Sequence, residues 1–252
     1  MLTLVRPMGR VWQDLRTLSH LARPSSRSSI HADRLEHFYR GQAADYDAFR
    51  ARLLPGRCQL VQSLGLSPGA VWVDLGGGTA HNLLHAGPVL AQLRQVHVID
   101  ITPSLLDVAH HRRQTQGWTN VSVMEADATA VDLPDASVDF VTCSYSLTMI
   151  PDWFAALDEA FRLLKPGGVI GVVDFYVSRA VAAPRVQHSA LTRRVWPWWF
   201  GHSHVALSPD HLPYLLKRFR PLSVIESRTP LPYVPFGRVP YYRFVGTKPQ
   251  SS

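Results

Sequence analysis

Short apolar runs alternate with stretches of helical periodicity between residues 70 and 175. The runs are rich in Val, Ile and Phe, and each is long enough for one buried strand. They are VWVDL (71–75), VHVID (96–100), VSVME (121–125), VDFVTCS (138–144) and VIGVVDF (169–175). The stretches between them predict helices over 80–93, 102–116 and 152–164. This alternation predicts a parallel, doubly wound α/β sheet.

The chain departs from this rhythm after the fifth run. Residues 176–207 predict an insertion, and SPDHLPYLLKRF (208–219) predicts a helix capped by Ser208. SVIES (223–227) and YYRFVGT (241–247) predict a closing antiparallel pair. We therefore expect a mostly parallel sheet of seven strands whose last strand is antiparallel.

The first thirty residues form a basic amphipathic segment that lies outside this pattern. Between Pro7 and Ala22 the apolar residues fall at helical spacing, and basic or polar residues occupy the other face. The linker RPSSRSS (23–29) follows. Three interpretations compete for segment 1–30: a lid helix, a membrane-surface anchor and a cleaved transit peptide.

The rest of the chain, residues 31–252, predicts a single domain. A second helical stretch over 31–57 predicts lid helices that precede the sheet. The strands and helices of 70–175 form the expected cofactor core, and 176–207 is the expected insertion.

The net charge of +7 is unevenly distributed. An acidic middle, residues 58–175, lies between two basic segments, 1–57 and 176–252. Basic flanks suit anionic lipid headgroups, nucleic acid or an acidic substrate, and composition does not choose among these. No apolar run is long enough to cross a bilayer as a helix. We therefore expect a cytoplasmic protein that is peripherally associated with membranes.

Metal and disulfide chemistry are not indicated. Cys58 and Cys143 are the two cysteines, and neither belongs to a CxxC pair. The histidines show no spacing typical of metal ligands, so we expect no metal.

A glycine-rich loop follows the first predicted strand. Asp74 and Leu75 end the strand, and Gly76, Gly77 and Gly78 come in succession. Three glycines permit a ligand to approach the backbone closely. The GxGxxG pattern of dinucleotide-binding proteins is not met, because its third glycine is absent.

Acidic residues also stand at the ends of the second and third strands. In an open parallel sheet, ligands bind beyond the carboxyl ends of the strands. Asp100 is placed to accept hydrogen bonds from two ribose hydroxyls. Asp127 can accept one from an adenine amino group, while the backbone N–H of Ala128 donates to the ring. Together with Asp74, these acids predict a nucleotide-like cofactor.

Residues 70–175 resemble the class I S-adenosylmethionine-dependent methyltransferases, which share a Rossmann-like fold. The resemblance rests on the acidic residue before the glycines and on the strand-end acids. It implies S-adenosylmethionine as the cofactor, with its sulfonium directed toward Tyr145 and Ser146. The implied cofactor contacts are Tyr46, Asp74, Gly76, Gly77, Gly78, Asp100, Ile101, Asp127, Ala128 and Ser144.

A narrower resemblance comes from three other strings. FYRGQAADYDAFR (38–50), SYSLTMIPDW (144–153) and LSPDHLPYL (207–215) are similar to the methyltransferase of betaine-lipid synthesis. That family trimethylates the amine of diacylglyceryl-homoserine. The resemblance implies a lipid substrate at a membrane surface, and the enzyme that makes the homoserine lipid as a candidate partner. Ala80 stands where that family often has glycine.

The product of such a reaction is a quaternary ammonium, which suits aromatic faces. We predict that Tyr145 positions the substrate and stabilises this cation, and we assign no general base, because alignment is the main contribution to such a displacement. Tyr39, Ser146 and Tyr176 are further candidates for substrate binding. Arg50 is the candidate partner of the homoserine carboxylate.

Some alternatives stay open at this level. Phosphatidylethanolamine N-methylation and quinone methylation are the main alternative reactions. An RNA methyltransferase is disfavoured, since the fourth strand is not followed by (D/N)PP(Y/F), and we expect no nucleic-acid partner. Arg52 and Arg57 are further candidates for the carboxylate. The cluster WPWWF (196–200) suits either a membrane-interface patch or a core plug of the insertion.

Overall fold

A computed structural model describes residues 33, 35, 36, 53–180, 185–201, 205–231 and 237–250. The amphipathic segment 1–30 and most of the expected lid helices lie outside the described residues. Asp33, Leu35 and Glu36 are helical, as expected for the stretch before the sheet.

The described helices and strands follow the predicted order. The α-helices are α1 (Arg57–Ser63), α2 (Pro103–Thr115), α3 (Trp153–Leu163), α4 (Ala190–Gly201) and α5 (His211–Arg218). The strands are β1 (Val71–Leu75), β2 (Gln95–Asp100), β3 (Val121–Glu125), β4 (Val138–Ser144), β5 (Leu164–Phe175), β6 (Arg220–Pro230) and β7 (Arg238–Thr247).

The seven strands form one sheet in the order β3-β2-β1-β4-β5-β7-β6. β1 pairs in parallel with β2 on one side and with β4 on the other. β7 runs antiparallel to both β5 and β6. The predicted fold class is therefore confirmed, including the antiparallel last strand.

β1 is buried along its whole length because both faces of the sheet are covered. Val73 and Leu75 pack in a cluster with α3, whereas Trp72 packs in a second cluster on the other face. The strand order reverses between β1 and β4, which opens a crevice at their carboxyl ends.

One predicted helix takes a different form. His81–Gln92 winds as a 3₁₀ helix that is interrupted at Gly87, where φ is +62° and ψ is −147°. Pro88 follows directly and supplies no N–H, so a regular α-helix cannot continue through this point.

Several boundaries also differ from expectation, and β6 and β7 each begin three residues earlier than predicted. β5 begins at Leu164, so the KPGG string lies inside a strand rather than between a helix and a strand. α5 begins after Asp210, and Ser208 Oγ accepts from the N–H of Asp210, which lies before the first turn of the helix. The predicted cap at Ser208 is therefore wrong.

Within the described residues, no helix is long and apolar enough to cross a membrane.

Candidate cofactor and substrate cavity

A cavity of about 270 Å³ opens at the carboxyl ends of β1 to β4, beside the point where the strand order reverses. Its walls come from the loops that follow these strands and from Leu35 and Arg57, which precede the sheet. The structure brings ten of the predicted site residues to this wall. They are Gly76, Gly77, Gly78, Asp100, Ile101, Asp127, Ala128, Ser144, Tyr145 and Ser146.

The glycine loop is closely packed against its surroundings. Gly76 has φ +65°, and a Cβ atom there would lie 2.4 Å from Cβ of Ser146. A Cβ atom at Gly77 would lie 2.8 Å from Cγ1 of Val98. Both contacts are shorter than packed carbon atoms tolerate, so the loop requires glycine at these two positions.

Asp74 does not reach the cavity, although we predicted a cofactor contact for it. Its carboxylate is fully buried beneath the loop. It accepts hydrogen bonds from Nδ2 of Asn82 at 2.9 and 3.1 Å and from Oγ1 of Thr142 at 2.6 Å. Burial raises its pKa to about 6, while the bonds from Thr142 and Asn82 and the nearby charge of Arg57 oppose that rise. Asp74 therefore holds Asn82, and Asn82 lines the cavity.

Arg57 completes this buried chain of polar groups. Its Nε donates to Oδ1 of Asn82 at 2.9 Å, and the residue is only 9% exposed. The guanidinium therefore lies against the cavity wall as a buried cation. Asn82 in turn donates to Asp74, whose carboxylate provides a counter-charge for Arg57 within the protein.

Asp100 and Asp127 also line the cavity. Asp100 accepts from the N–H of Gly78 at 2.9 Å and from the N–H of Thr102 at 3.0 Å. Asp127 accepts from the N–H and the hydroxyl of Thr129, both at 2.8 Å. These bonds fix both carboxylates at the cavity wall. Their contacts with ribose and adenine stay predictions.

Ser144, at the end of β4, carries a buried hydroxyl that has no hydrogen-bond partner among the described residues. Buried hydroxyls are normally satisfied, so this one fits a site in which a ligand supplies the partner. Nearby, Leu35, Leu105 and Met149 form an apolar cluster, against which Ile101 packs. The wall therefore offers both polar partners and an apolar surface, as a nucleoside requires.

Tyr145 lies next to Ser144 and has φ +56°, an unusual value for a residue with a side chain. Its hydroxyl donates to the carbonyl of Pro55 at 2.7 Å, and its ring centroid lies 4.8 Å from that of Phe175. Ser146 Oγ donates to the carbonyl of Leu75 at 3.0 Å. Both side chains are thereby held at the cavity wall.

The loop that carries these residues is braced from below by Asp174. This carboxylate is fully buried and accepts from the N–H of Thr148 at 3.1 Å and from its hydroxyl at 2.8 Å. Burial raises the pKa of Asp174 to about 7. Sequence reasoning missed this residue, although an acid near the end of an apolar strand is itself an unusual signal.

Among the described residues, one predicted substrate residue, Tyr176, is not brought to the cavity. Tyr176 is buried elsewhere, with its ring edge-on to His188 and Tyr242 and its hydroxyl donating to Glu226. We therefore correct its expected role to packing. Tyr39, Arg50 and the predicted cofactor contact Tyr46 lie outside the described residues.

Two cavity residues had weaker signals in the sequence. Arg57 was one of three candidate arginines. It differs from the other two in being the first residue of α1. Asn82 was missed, although it directly precedes the buried Leu83 and a buried amide needs hydrogen-bond partners.

Comparison with known proteins agrees with this geometry. Residues 73–172 match a family described as a methyltransferase domain. The chain is 28% identical over 169 residues to the ubiquinone/menaquinone biosynthesis C-methyltransferase UbiE of Shewanella halifaxensis. It is also 28% identical over 158 residues to UbiE of Coxiella burnetii. The alignments cover 65% and 60% of this chain, and 67% and 62% of those relatives.

Solved structures share the fold at lower identity. The N-methyltransferase NodS of Bradyrhizobium japonicum superposes with a TM-score of 0.63 at 16% identity, over 85% of this chain and 98% of that one. The phosphoethanolamine N-methyltransferase 2 of Haemonchus contortus superposes with a TM-score of 0.66 at 15% identity, over 88% of this chain and 61% of that one. At these identities the likeness concerns the fold.

Proposed function

The chain is an S-adenosylmethionine-dependent methyltransferase, and we propose that its methyl acceptor is the amine of diacylglyceryl-homoserine. Successive transfers then end in the trimethyl betaine lipid. Two strings support this acceptor through their similarity to betaine-lipid synthesis, FYRGQAADYDAFR (38–50) and SYSLTMIPDW (144–153). The second string supplies cavity residues from Ser144 to Asp152.

The observation that carries the proposal is the position of Tyr145 on the cavity wall, next to Ser146 and the glycine loop. Its hydroxyl donates its proton to the carbonyl of Pro55, so the phenol oxygen and the ring can meet a cation only as acceptors. An amine that gains methyl groups becomes a cation without N–H donors, and such an acceptor surface attracts it. The same bond makes the hydroxyl unsuited to act as a base.

Arg57 adds a cation on the same wall. The homoserine headgroup and the methionine part of the cofactor each carry an amino-acid carboxylate. A buried guanidinium suits either of them, because its N–H groups can donate in a fork. Its bond to Asn82 holds the guanidinium in place before the ligand binds.

Bound S-adenosylmethionine would supply the methyl group: the carbon–nitrogen bond would form as the carbon–sulfur bond breaks, the sulfur would keep the electron pair of that bond, and the first two transfers to the neutral amine would each release one N–H proton to solvent. The glycine loop and the 144–150 loop contribute alignment of the two reactants, which is the main source of acceleration in such a displacement. Asp174 supports that alignment by holding Thr148.

The direct test is mass spectrometry of lipids after incubation of the chain with cofactor and diacylglyceryl-homoserine. We expect mass steps of one, two and three methyl groups. Phosphatidylethanolamine, offered in a parallel reaction, tests whether any lipid amine is accepted. An unchanged homoserine lipid, with cofactor binding intact, would refute this acceptor.

A second candidate is C-methylation of a quinol ring. It is favoured by the relatives named UbiE, which match 60–65% of this chain. The apolar cluster of Leu35, Leu105 and Met149 at the cavity is compatible with a ring substrate. A demethylated quinol in the same assay separates the two candidates, because each predicts a mass step on a different molecule.

A further inference from the structure

The outward face of α4 carries a stripe of exposed apolar side chains. Leu191 is 73% exposed, Val195 37%, Trp198 67% and Trp199 45%. The spacing i, i+4, i+7, i+8 places all four on one side of a helix. Exposing two indoles and two aliphatic side chains to water is unfavourable, so such a stripe indicates an interaction surface.

The inward face of α4 accounts for the rest of the WPWWF cluster. Trp196 and Phe200 are buried, at 8% and 5% exposure, in the cluster that also contains Tyr145. Phe200 lies 5.5 Å from Phe175 between ring centroids, and Phe175 lies 4.8 Å from Tyr145. The helix is therefore joined to the cavity wall through two aromatic contacts. The core-plug interpretation of the cluster thus holds for Trp196 and Phe200, while Trp198 and Trp199 face outward.

The surroundings of the stripe are basic. Residues 185–201 contain three arginines and no acidic residue. Arg194 is exposed at the border of the stripe. Arg193 donates to the carbonyl of His188, which places its charge near the start of the helix. Burial lowers the pKa of the His188 imidazole, and the charges of Arg228 and Arg193 lower it further. The acid beside them, Glu226, is bonded to Tyr176 and Arg185.

We propose that α4 is a membrane-contact helix whose stripe enters the interfacial layer of a bilayer containing anionic lipid. Indole side chains favour that layer, and a basic amphipathic helix binds it by apolar burial together with charge attraction. The proposal deepens the proposed function and rests on it. Contact through α4 brings the Tyr145 cavity to the membrane surface that holds the lipid substrate.

A second copy of the chain is a less suitable occupant. In a two-fold dimer centred on the stripe, Arg194 of each copy would lie near the basic border of the other copy's stripe. Like charges at close range oppose such an interface, whereas anionic headgroups neutralise them.

The first experiment measures binding of the full-length chain to vesicles that contain phosphatidylglycerol but no homoserine lipid. We expect the double variant Trp198→Ala/Trp199→Ala to bind at least about tenfold more weakly, because apolar burial at the bilayer is lost. The matched control is Leu222→Ser/Ile225→Ser, which removes two side chains that are 62% and 41% exposed on β6. This control should bind as the wild type does.

Charge is tested separately with Arg194→Gln. We expect affinity for the anionic vesicles to fall about fivefold at low salt, with little change on phosphatidylcholine vesicles. The difference should shrink as salt is raised, because screening weakens the attraction.

Insertion itself is tested with lipids that carry bromine on their acyl chains, which quench nearby indoles. The conservative variant Trp198→Phe/Trp199→Phe should keep binding but lose most of the bromine-dependent quenching. Far-ultraviolet circular dichroism and calorimetric cofactor binding confirm that each variant is folded.

Unchanged vesicle binding of Trp198→Ala/Trp199→Ala would overturn the proposal. So would a wild-type dimer in solution that this variant dissociates, since the stripe would then serve a second copy. Neither result bears on the methyl acceptor, because these vesicles hold no substrate. Conversely, vesicle binding without methylation of diacylglyceryl-homoserine would refute only the proposed acceptor.

Discussion

Gly76 and Ser146 lie in direct contact, and a Cβ atom on the glycine would be only 2.4 Å from Cβ of the serine. Seventy residues separate them along the chain, yet they join the β1 loop to the β4 loop at the centre of the cavity wall. The close approach also fixes Ser146, whose hydroxyl donates to the carbonyl of Leu75. The glycine therefore sets the geometry of both loops.

Gly76→Ala should lower the free energy of unfolding by about 2–4 kcal/mol, from backbone strain at positive φ together with overpacking. Gly117→Ala is the matched control, since Gly117 also has φ +65° but an added methyl group there would meet no atom within 4 Å. It should cost only about 1 kcal/mol. Urea unfolding measures both values, and equal losses would mean that the contact with Ser146 relaxes freely.

Asp100→Ala should weaken S-adenosylmethionine binding about a hundredfold or more, because a carboxylate that accepts charge-assisted hydrogen bonds is removed. Isothermal calorimetry gives the affinity directly. Glu125→Ala is the control, since Glu125 is the exposed partner of Asp100 in the β2–β3 register. Undiminished affinity of Asp100→Ala would exclude the ribose contact.

Tyr145→Ala should slow the third methylation about tenfold more than the first, since the cation develops only late. Tyr145→Phe keeps the ring and should preserve most of the late steps. The ratio of monomethyl, dimethyl and trimethyl products in the lipid assay reports this difference. Equal slowing at every step would instead assign Tyr145 a general positioning role.

Asp174→Asn should change how stability depends on pH. The folded-state pKa is raised from 3.8 to about 7, so the wild-type carboxyl contributes stability that is complete below about pH 4 and lost as pH rises through about 7. The asparagine cannot titrate. The free energy of unfolding of the wild type should therefore exceed that of the variant most at about pH 4 and least at about pH 8. Urea unfolding at these two pH values measures the difference. Parallel pH profiles would contradict the raised pKa.

Much of the fold follows from local pattern. The bounds of β1, β3 and β4 agree with the apolar runs, and Thr102-Pro103 begins α2 as expected. A strand that is buried on both faces of a sheet is easily recognised in the sequence, because side chains on both faces must be apolar. The early start of β5 was not predicted, since it depends on pairing with β4, which is distant in sequence. The 3₁₀ helix at His81–Gln92 was also missed, although Gly87 and Pro88 within it are a local signal against a regular α-helix.

The candidate site also has a part that the sequence predicts and a part that depends on the tertiary structure. The sequence by itself determined that Asp100, Asp127 and the glycines stand at strand ends, and parallel strands place their carboxyl ends at one edge. Only the tertiary structure decided that Asp74 points beneath the loop, that Arg57 reaches the cavity and that Tyr176 does not. Strand ends are set by periodicity, which is local. The direction and burial of a side chain depend on what packs around it, and for these residues the partners lie on other elements of the fold.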